Sequence, residues 1–135
     1  MTVQNAQSLK LLEYFRDTKG TGILATSNHE GRLNLAVFSR PHVMADGRIA
    51  FIMRDRSTHK NLQVNPNAAY LFMEEGHEYK GRRLILTKMR EEEDSELLYQ
   101  LKRRKRSTLN RDDKGPLFLV FFDLIQELPL IGREE

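Results

Sequence analysis

The sequence contains no cysteine and no tryptophan, and its apolar residues never form a long uninterrupted run. Without cysteine, disulfides, thiolate metal sites and a cysteine nucleophile are all excluded. No apolar stretch approaches the ~18 residues that cross a bilayer. The N-terminus also lacks the charged start, apolar core and cleavage site of a secretory signal. We therefore expect a cytoplasmic protein that does not bind membranes and whose catalysis, if any, uses other side chains or a cofactor.

The chain has the size and composition of one ordinary domain. Its 135 residues are 39% hydrophobic, which is enough for one core. Residues 1–135 are therefore expected to form one domain. The formal net charge of +3 is compatible with an anionic ligand, but it is too small to indicate nucleic-acid binding.

Hydrophobic periodicity predicts a mainly β protein with accessory helices, of the α+β class. A first helix places Leu9, Leu12 and Phe15 on one stripe and is expected to close at a left-handed Gly20. Apolar segments separated by glycine-containing turns then predict six antiparallel strands. These strands are expected at 21–27, 32–39 and 48–54, and within the segments NAAYLFMEEG, YKGRRLILTKMR and GPLFLVFFDLIQELPLIG. Connections of turn length leave no room for helical crossovers, so a six-stranded antiparallel barrel is expected.

Two further helices are predicted between strands. In STHKNLQVNP, Ser57 or Thr58 is expected to cap a short helix that Pro66 ends. In EEEDSELLYQLKRRKRS, acids at 91–94 and bases at 102–106 complement the two ends of a helix dipole. That order explains the basic run without a nucleic-acid partner. Residues 107–115 are expected to form a flexible loop.

The final strand is apolar on both faces. Leu117, Leu119 and Phe121 alternate with Phe118 and Val120, so both sides of the strand require burial. Such a strand either lies in the middle of the fold or covers a second subunit.

The stretch RDRSTHK crowds basic and hydroxyl side chains around the start of the short helix. Its members are Arg54, Arg56, Ser57, Thr58, His59 and Lys60. Backbone N–H groups at a helix start, hydroxyls and cationic side chains all favour an anion, so this corner is a candidate phosphate site. An exposed polar helix cap is the alternative interpretation. In the second strand, the small Ala36 beside Asn34 leaves room for a flat ring against the backbone, and ordinary packing explains that pair equally well.

Other chemical signals are weak. The four histidines match no compact metal motif, so no metal site is expected. Nucleophile elbows, Walker loops and dinucleotide-binding glycine turns are absent from the sequence. No catalytic residue can be assigned. The polar residues His77, Tyr79 and Lys88 near a predicted strand end are the weakest candidates for acid or base chemistry.

The order of these segments resembles the pyridoxamine 5'-phosphate oxidase-like FMN-binding split-barrel family over nearly the whole chain. The segments GILATSNHEGRLNLAVFS, DGRIAFIM and STHKNLQVNPNAAYLF carry the resemblance, and NLQVNPNAAYLF is its most specific part. The resemblance implies a six-stranded split β-barrel that forms a homodimer and binds FMN between subunits. It also implies an FMN-dependent oxidoreductase or a related flavoprotein.

The resemblance implies FMN contacts at two places. The second strand and the residues after it would face the flavin ring, and the turn after the third strand would bind the phosphate. The implied positions are Asn34, Leu35, Ala36, Val37, Ser39, Arg40, Met53, Arg54, Ser57, Thr58, His59 and Lys60.

The chain departs from the family pattern at two places. Thr58 stands where many relatives have a phosphate-binding lysine, and the terminal LPLIGREE lacks the substrate segment of the true oxidases. Pyridoxamine phosphate oxidation is therefore not expected. Two alternatives stay open, namely a non-catalytic flavin or electron-carrier module and a flavin-free barrel that binds another anion or a partner. The sequence identifies neither a substrate nor an electron donor.

Overall fold

The described part of the protein forms a seven-stranded antiparallel sheet with three helices. The computed structural model describes residues 6–76, 78–104 and 115–132. The elements are α1 (Ala6–Asp17), β1 (Gly20–Ser27), β2 (Leu33–Val37), β3 (His42–Val43), β4 (Ile49–Arg54), α2 (Ser57–Val64), β5 (Asn67–Glu74), β6 (Gly81–Glu93), α3 (Glu96–Arg104) and β7 (Leu117–Pro129). The prediction of a mainly antiparallel β protein with three helices is confirmed. The strand count was wrong by one, because the two-residue β3 pairs with β4 at the sheet edge.

The sheet is curled rather than flat. Its strand order is β2-β1-β5-β6-β7-β4-β3, which places β4 and β5 three strands apart. In a flat sheet they would be separated by roughly 14 Å. The ring centroids of Phe51 on β4 and Tyr70 on β5 lie only 4.9 Å apart. The inner faces of the strands therefore enclose one aromatic core.

The split between the sheet edges is bridged by the residues that follow β2. The ring of Phe38 lies 5.7 Å from that of Phe51, and its backbone N–H donates to the carbonyl oxygen of Gly22 at 3.0 Å. The Tyr70 hydroxyl donates to the carbonyl oxygens of Phe38 and Ser39 at 3.1 and 3.2 Å. These bonds hold the exit of β2 against the barrel interior.

Strand β7 is buried on both faces within the chain itself. Phe118, Val120 and Phe122 face the barrel core. Leu117, Leu119 and Phe121 face a second cluster that contains Leu98 and Leu101 of α3. The two-sided pattern was correctly predicted to require burial. Its cover is α3, so the buried part of β7 gives no argument for a second subunit.

Helix α1 closes one end of the barrel. Leu11 and Phe15, four residues apart, are buried in the aromatic core, whereas Leu9 is exposed. The apolar stripe predicted to include Leu9 was therefore wrong at that residue, because Leu11 takes the buried position. Gly20 is also not the left-handed end of the helix but the first residue of β1. A Cβ there would meet the carbonyl oxygen of Met73 on β5, so close strand packing explains the glycine.

The boundary between β6 and α3 differs from the prediction. Residues 91–93 belong to β6, and α3 begins only at Glu96. Long pairing with β7 keeps those acids in the sheet. Bases at 105–106 and most of the predicted loop 107–115 lie outside the described residues. Among the residues that are described, no helix is long and apolar enough to cross a membrane.

We predict that Gly22→Ala destabilises the fold by about 1–3 kcal/mol, the usual range for overpacking. The new methyl group would overlap the Tyr70 hydroxyl and the Phe38 carbonyl oxygen, which close the barrel. The control is Gly115→Ala, because a Cβ at Gly115 meets no atom within 4 Å. Denaturant unfolding of both variants checks the prediction, and equal stabilities would contradict it.

Candidate functional site

The start of α2 forms a basic, hydroxyl-rich corner beside the barrel. The helix begins at Ser57, and the N-cap residue Arg56 makes no side-chain capping bond. The prediction that Ser57 or Thr58 caps the helix was therefore wrong, since both lie inside its first turn. That turn contains no acidic residue. First-turn N–H groups have no acceptor within their helix and carry partial positive charge, which is the local condition that favours an anion.

Helix α2 is attached to β1 and β2 by amide–hydroxyl pairs. The Asn34 side-chain amide donates to the Thr58 hydroxyl at 3.2 Å. The Asn61 amide donates to the Thr26 hydroxyl at 3.1 Å. Both hydroxyls are buried, with Thr58 5% and Thr26 2% exposed. The strand predicted to face a flat ring and the turn predicted to bind a phosphate are therefore adjacent.

Strand β2 carries an exposed apolar stripe on its outer face. Leu33, Leu35 and Val37 are 77%, 70% and 75% exposed. Asn34 and Ala36 on the other face are half-buried. Because β2 is an edge strand, the stripe lies at the open side of the sheet. We name Leu33, Leu35 and Val37 the β2 stripe.

His59, one of the predicted phosphate contacts, is buried in the fold. Its ring is 4% exposed and stacks on Phe118 with centroids 3.8 Å apart. Nδ1 lies 2.8 Å from an Asp55 carboxylate oxygen, and Nε2 lies 3.0 Å from Glu91. A carboxylate therefore lies beside each ring nitrogen, and the predicted contact of His59 with a phosphate stays a prediction.

Glu91 on β6 lies at the centre of the same cluster. It accepts hydrogen bonds from Lys88 at 2.8 Å and Gln63 at 3.0 Å, besides its contact with His59. Burial acts to raise the pKa of Glu91, but the hydrogen bonds from these three side chains outweigh burial and lower its pKa to about 2. We name Asp55, His59, Gln63, Lys88 and Glu91 the His59 cluster.

Several predicted contact residues have other roles in the fold. Met53 is 1% exposed inside the barrel core, so its side chain does not face a surface site. One Arg54 Nη donates to the Gly115 carbonyl oxygen at 2.9 Å. An Arg40 Nη bonds the carbonyl oxygens of Phe15 and Thr18 at 3.0 and 2.9 Å, at the end of α1.

The remaining predicted residues are accessible or small. Ser39, Ser57 and Lys60 are exposed. Their contacts with FMN stay predictions. Of the weak acid–base candidates, Lys88 is paired with Glu91 and Tyr79 is exposed. His77 lies outside the described residues. Within 6–76, 78–104 and 115–132, no group of three or more acidic or histidine side chains could hold a metal ion.

Sequence reasoning missed the acidic members of the His59 cluster. His59 and Gln63 lie four residues apart on α2, and Asp55 precedes His59 by the same spacing just before the helix, so that spacing was a usable signal. Glu91 is 32 residues from His59. No local pattern connects them, because their contact depends on the tertiary arrangement of α2 and β6.

Comparison with solved structures shows which fold this is. No protein-family model and no curated protein matches the sequence. An FMN-binding protein from Syntrophomonas wolfei superposes with a TM-score of 0.75 at 18% identity, covering 95% of this chain and 91% of the other. A Listeria innocua protein described as a candidate pyridoxamine 5'-phosphate oxidase gives 0.66 at 12% identity, covering 92% and 98%. HutZ from Vibrio cholerae, described as a heme storage protein, gives 0.59 at 21% identity, covering 95% and 94%.

The chain therefore has the fold of the pyridoxamine 5'-phosphate oxidase-like split barrels. The split-barrel fold implied by the sequence resemblance is confirmed, although the implied count of six strands is not. Since proteins with this fold are described as binding FMN and as storing heme, the ligand of this chain has to be argued from its own residues.

We predict that Glu91 makes the fold acid-sensitive. Its folded-state pKa of about 2 lies below the ordinary value of 4.5. The ionised group therefore stabilises the fold above pH 4.5, and this contribution is lost as the pH falls to about 2. Glu91→Gln should lower the melting temperature at pH 7. Between pH 4.5 and about pH 2, the melting temperature of this variant should fall less steeply than that of the wild type. Glu78→Gln, at an exposed ion pair with Lys80, is the control, and parallel declines in all three proteins would contradict the prediction.

Proposed function

We propose that the protein binds FMN at a homodimer interface and acts as an oxidoreductase-like flavoprotein. The observation that carries the proposal is the bond between Asn34 on β2 and Thr58 on α2 at 3.2 Å. It makes a surface suited to a flat ring continuous with a corner suited to a phosphate. A bound flavin would supply the redox chemistry, and the chain would bind and orient it.

The phosphate end of this site is the first turn of α2. An uncapped helix start without an acidic residue fits a dianionic ester. The exposed Ser57 hydroxyl and Lys60 ammonium lie in the same turn. Thr58 replaces the lysine expected from the family resemblance, and its hydroxyl is already bonded to Asn34. Lys60 is therefore the cation on which we base the first test.

The ring end of the site is β2. Its half-buried face carries Ala36, whose small side chain leaves the strand backbone accessible to a planar group. Backbone N–H and C=O groups of an edge strand can bond the polar edge of such a ring. This arrangement supports ring binding without requiring an aromatic side chain from the same strand.

The β2 stripe supports a second subunit on the outer face of the same strand. Three neighbouring apolar side chains that are at least 70% exposed are unfavourable in water and typical of an interaction surface. A copy of the same chain that covers the stripe would lie against the strand whose other face is proposed to hold the flavin ring. Our sequence argument for the dimer from β7 is thereby replaced by an argument from β2.

Among the residues that the structure describes, neither of the two predicted acid–base candidates is well placed for the reaction. Lys88 and Glu91 neutralise each other at 2.8 Å, and Tyr79 is exposed on a loop. In this proposal the chain binds and shields the flavin, and the flavin itself carries the electrons. No described feature identifies a substrate.

We predict that purified protein binds added FMN and shows the visible absorbance of a bound flavin. Lys60→Ala should weaken FMN binding by about tenfold, the typical value of one charge-assisted hydrogen bond, and should leave riboflavin binding nearly unchanged. Lys80→Ala, at an exposed lysine paired with Glu78, is the matched control. Titration of each protein with both flavins measures the effect.

Two results would count against this assignment. Equal weakening of FMN and riboflavin by Lys60→Ala would show that Lys60 does not contact the phosphate. A protein that is colourless after incubation with excess FMN and removal of the unbound flavin would reject the flavin site and favour the flavin-free alternative.

We predict that Leu35→Glu disrupts the dimer and lowers FMN affinity. A carboxylate in the centre of the β2 stripe would be buried without a partner on association, whereas the folded monomer tolerates it because Leu35 is 70% exposed. Ile125→Glu is the control, since Ile125 is also exposed, at 60%, but lies on β7. Sedimentation of both variants measures the mass, and an unchanged dimer in Leu35→Glu would contradict the prediction.

A further inference from the structure

A cleft of about 590 Å³ lies between α1, the segment 40–45 that contains β3, and α3. None of the described residues that line it belongs to β2 or to α2. Of the positions implied for FMN, the cleft shares only Arg40. Its volume falls within the range of about 300–1,000 Å³ that is usual for small-molecule sites. The cleft is therefore a candidate binding site in addition to the proposed ring surface and phosphate turn.

The apolar walls of the cleft come from two different cores. Phe15 of α1 belongs to the barrel core, and Val43 of β3 packs against it. Leu101 of α3 belongs to the second cluster, against which Met44 and Leu97 pack. The cleft therefore lies where the two cores meet, and packing behind these side chains holds its walls in place.

Strand β3 explains why space remains between α1 and α3. It has only two residues, stands at the edge of the sheet, and pairs with β4 alone among the described strands. Because the sheet ends there, no described strand fills the gap between the two helices. The cleft is thus a consequence of the topology.

The polar side chains of the cleft are all basic or potentially basic. They are Arg16, Arg40 and His42, and no acidic residue is among the described residues that line the cleft. Arg16 is exposed and lies 2.8 Å from Asp17, so water and that carboxylate screen its charge. Arg40 is half-buried. It is therefore the principal cation of the cleft.

Neutral acceptors at the end of α1 hold the Arg40 guanidinium in position. One Nη donates to the carbonyl oxygens of Phe15 and Thr18 at 3.0 and 2.9 Å. These bonds offset the partial negative charge at the end of the helix, and they leave the charge of the guanidinium in place because their acceptors are not ionised. A cation that is already ordered loses less side-chain entropy when it binds an anion than a mobile surface cation does.

We propose that this cleft binds a small apolar molecule that carries one carboxylate, with the carboxylate at Arg40. The proposal goes beyond the flavin site and does not depend on it. The apolar part of the ligand is buried between α1, segment 40–45 and α3, and that burial supplies most of the affinity. Arg40 supplies the preference for an anion, because a guanidinium–carboxylate hydrogen bond is charge-assisted.

The test compares octanoate, octanol and octylammonium, which share an apolar tail and differ in the charge of the head group. The methyl NMR signal of Met44 in the purified chain reports binding in the cleft. Met73, on β5 and outside the cleft, is the internal control. We expect octanoate to shift the Met44 signal saturably and to bind about tenfold more tightly than octanol, the scale of one hydrogen bond between charged groups. Octylammonium should bind least tightly.

Arg40→Gln isolates the contribution of the cation. This variant should bind octanoate and octanol with nearly equal dissociation constants, because the contacts with the tail remain. Arg32→Gln, at an exposed arginine outside the cleft, is the matched control and should keep the wild-type preference for octanoate. If loss of its bonds to α1 unfolds Arg40→Gln, the ligand series on the wild type decides alone.

Three results would overturn the inference. They are a Met44 signal that none of the compounds shifts, equal wild-type affinities for octanoate and octanol, and an unchanged preference for octanoate in folded Arg40→Gln.

Addition of FMN separates this inference from the proposed function. Octanoate that stays bound at Met44 in saturating FMN supports a cleft distinct from the flavin site. Displacement of octanoate by FMN would assign the cleft to the flavin site and overturn the inference. Failure of FMN to bind would reject the proposed function and leave the octanoate result as it stands.

Discussion

The contact between Phe51 and Tyr70 is the constraint on which the rest of the structure depends. These rings meet at 4.9 Å across strands that a flat sheet would keep apart, so the sheet has to curl around an aromatic core. Curling leaves β2 at an open edge and lets α2 pack beside it. The neighbouring positions of the exposed β2 stripe and the α2 turn are thus consequences of core packing, not of contacts within the site.

Helix α2 is held on opposite sides by different chemistry. Neutral amide–hydroxyl pairs connect Asn34 and Asn61 to buried threonine hydroxyls. On the other side, His59 is engaged by carboxylates from before the helix and from β6. Satisfied polar bonds of this kind fix a helix more specifically than apolar packing alone, because an alternative position would leave buried polar groups unpaired. The candidate phosphate turn is therefore preorganised from both sides.

The fold and the function are supported by different observations. Superposition on proteins described as FMN-binding and heme-storing identifies the barrel but not its ligand. The argument for a flavin phosphate comes from an uncapped basic helix start, and the argument for a planar ring comes from a small residue on an edge strand. Thr58 stands where the family resemblance implies a phosphate-binding lysine. Its hydroxyl instead accepts a hydrogen bond from Asn34, which attaches α2 to β2.

The sequence by itself determined six of the seven described strands, the glycine turns and the position of α2, because periodicity and turn chemistry are local properties. The basic and hydroxyl residues of 54–60 also predicted a candidate phosphate site from the sequence alone. Tertiary structure alone decided that α3 covers β7, that Met53 faces the core, and that residues 91–93 extend β6. It alone paired His59 with Glu91, 32 residues away. Which face a side chain presents, and which distant charge it meets, depends on how the sheet curls, and no local pattern records that.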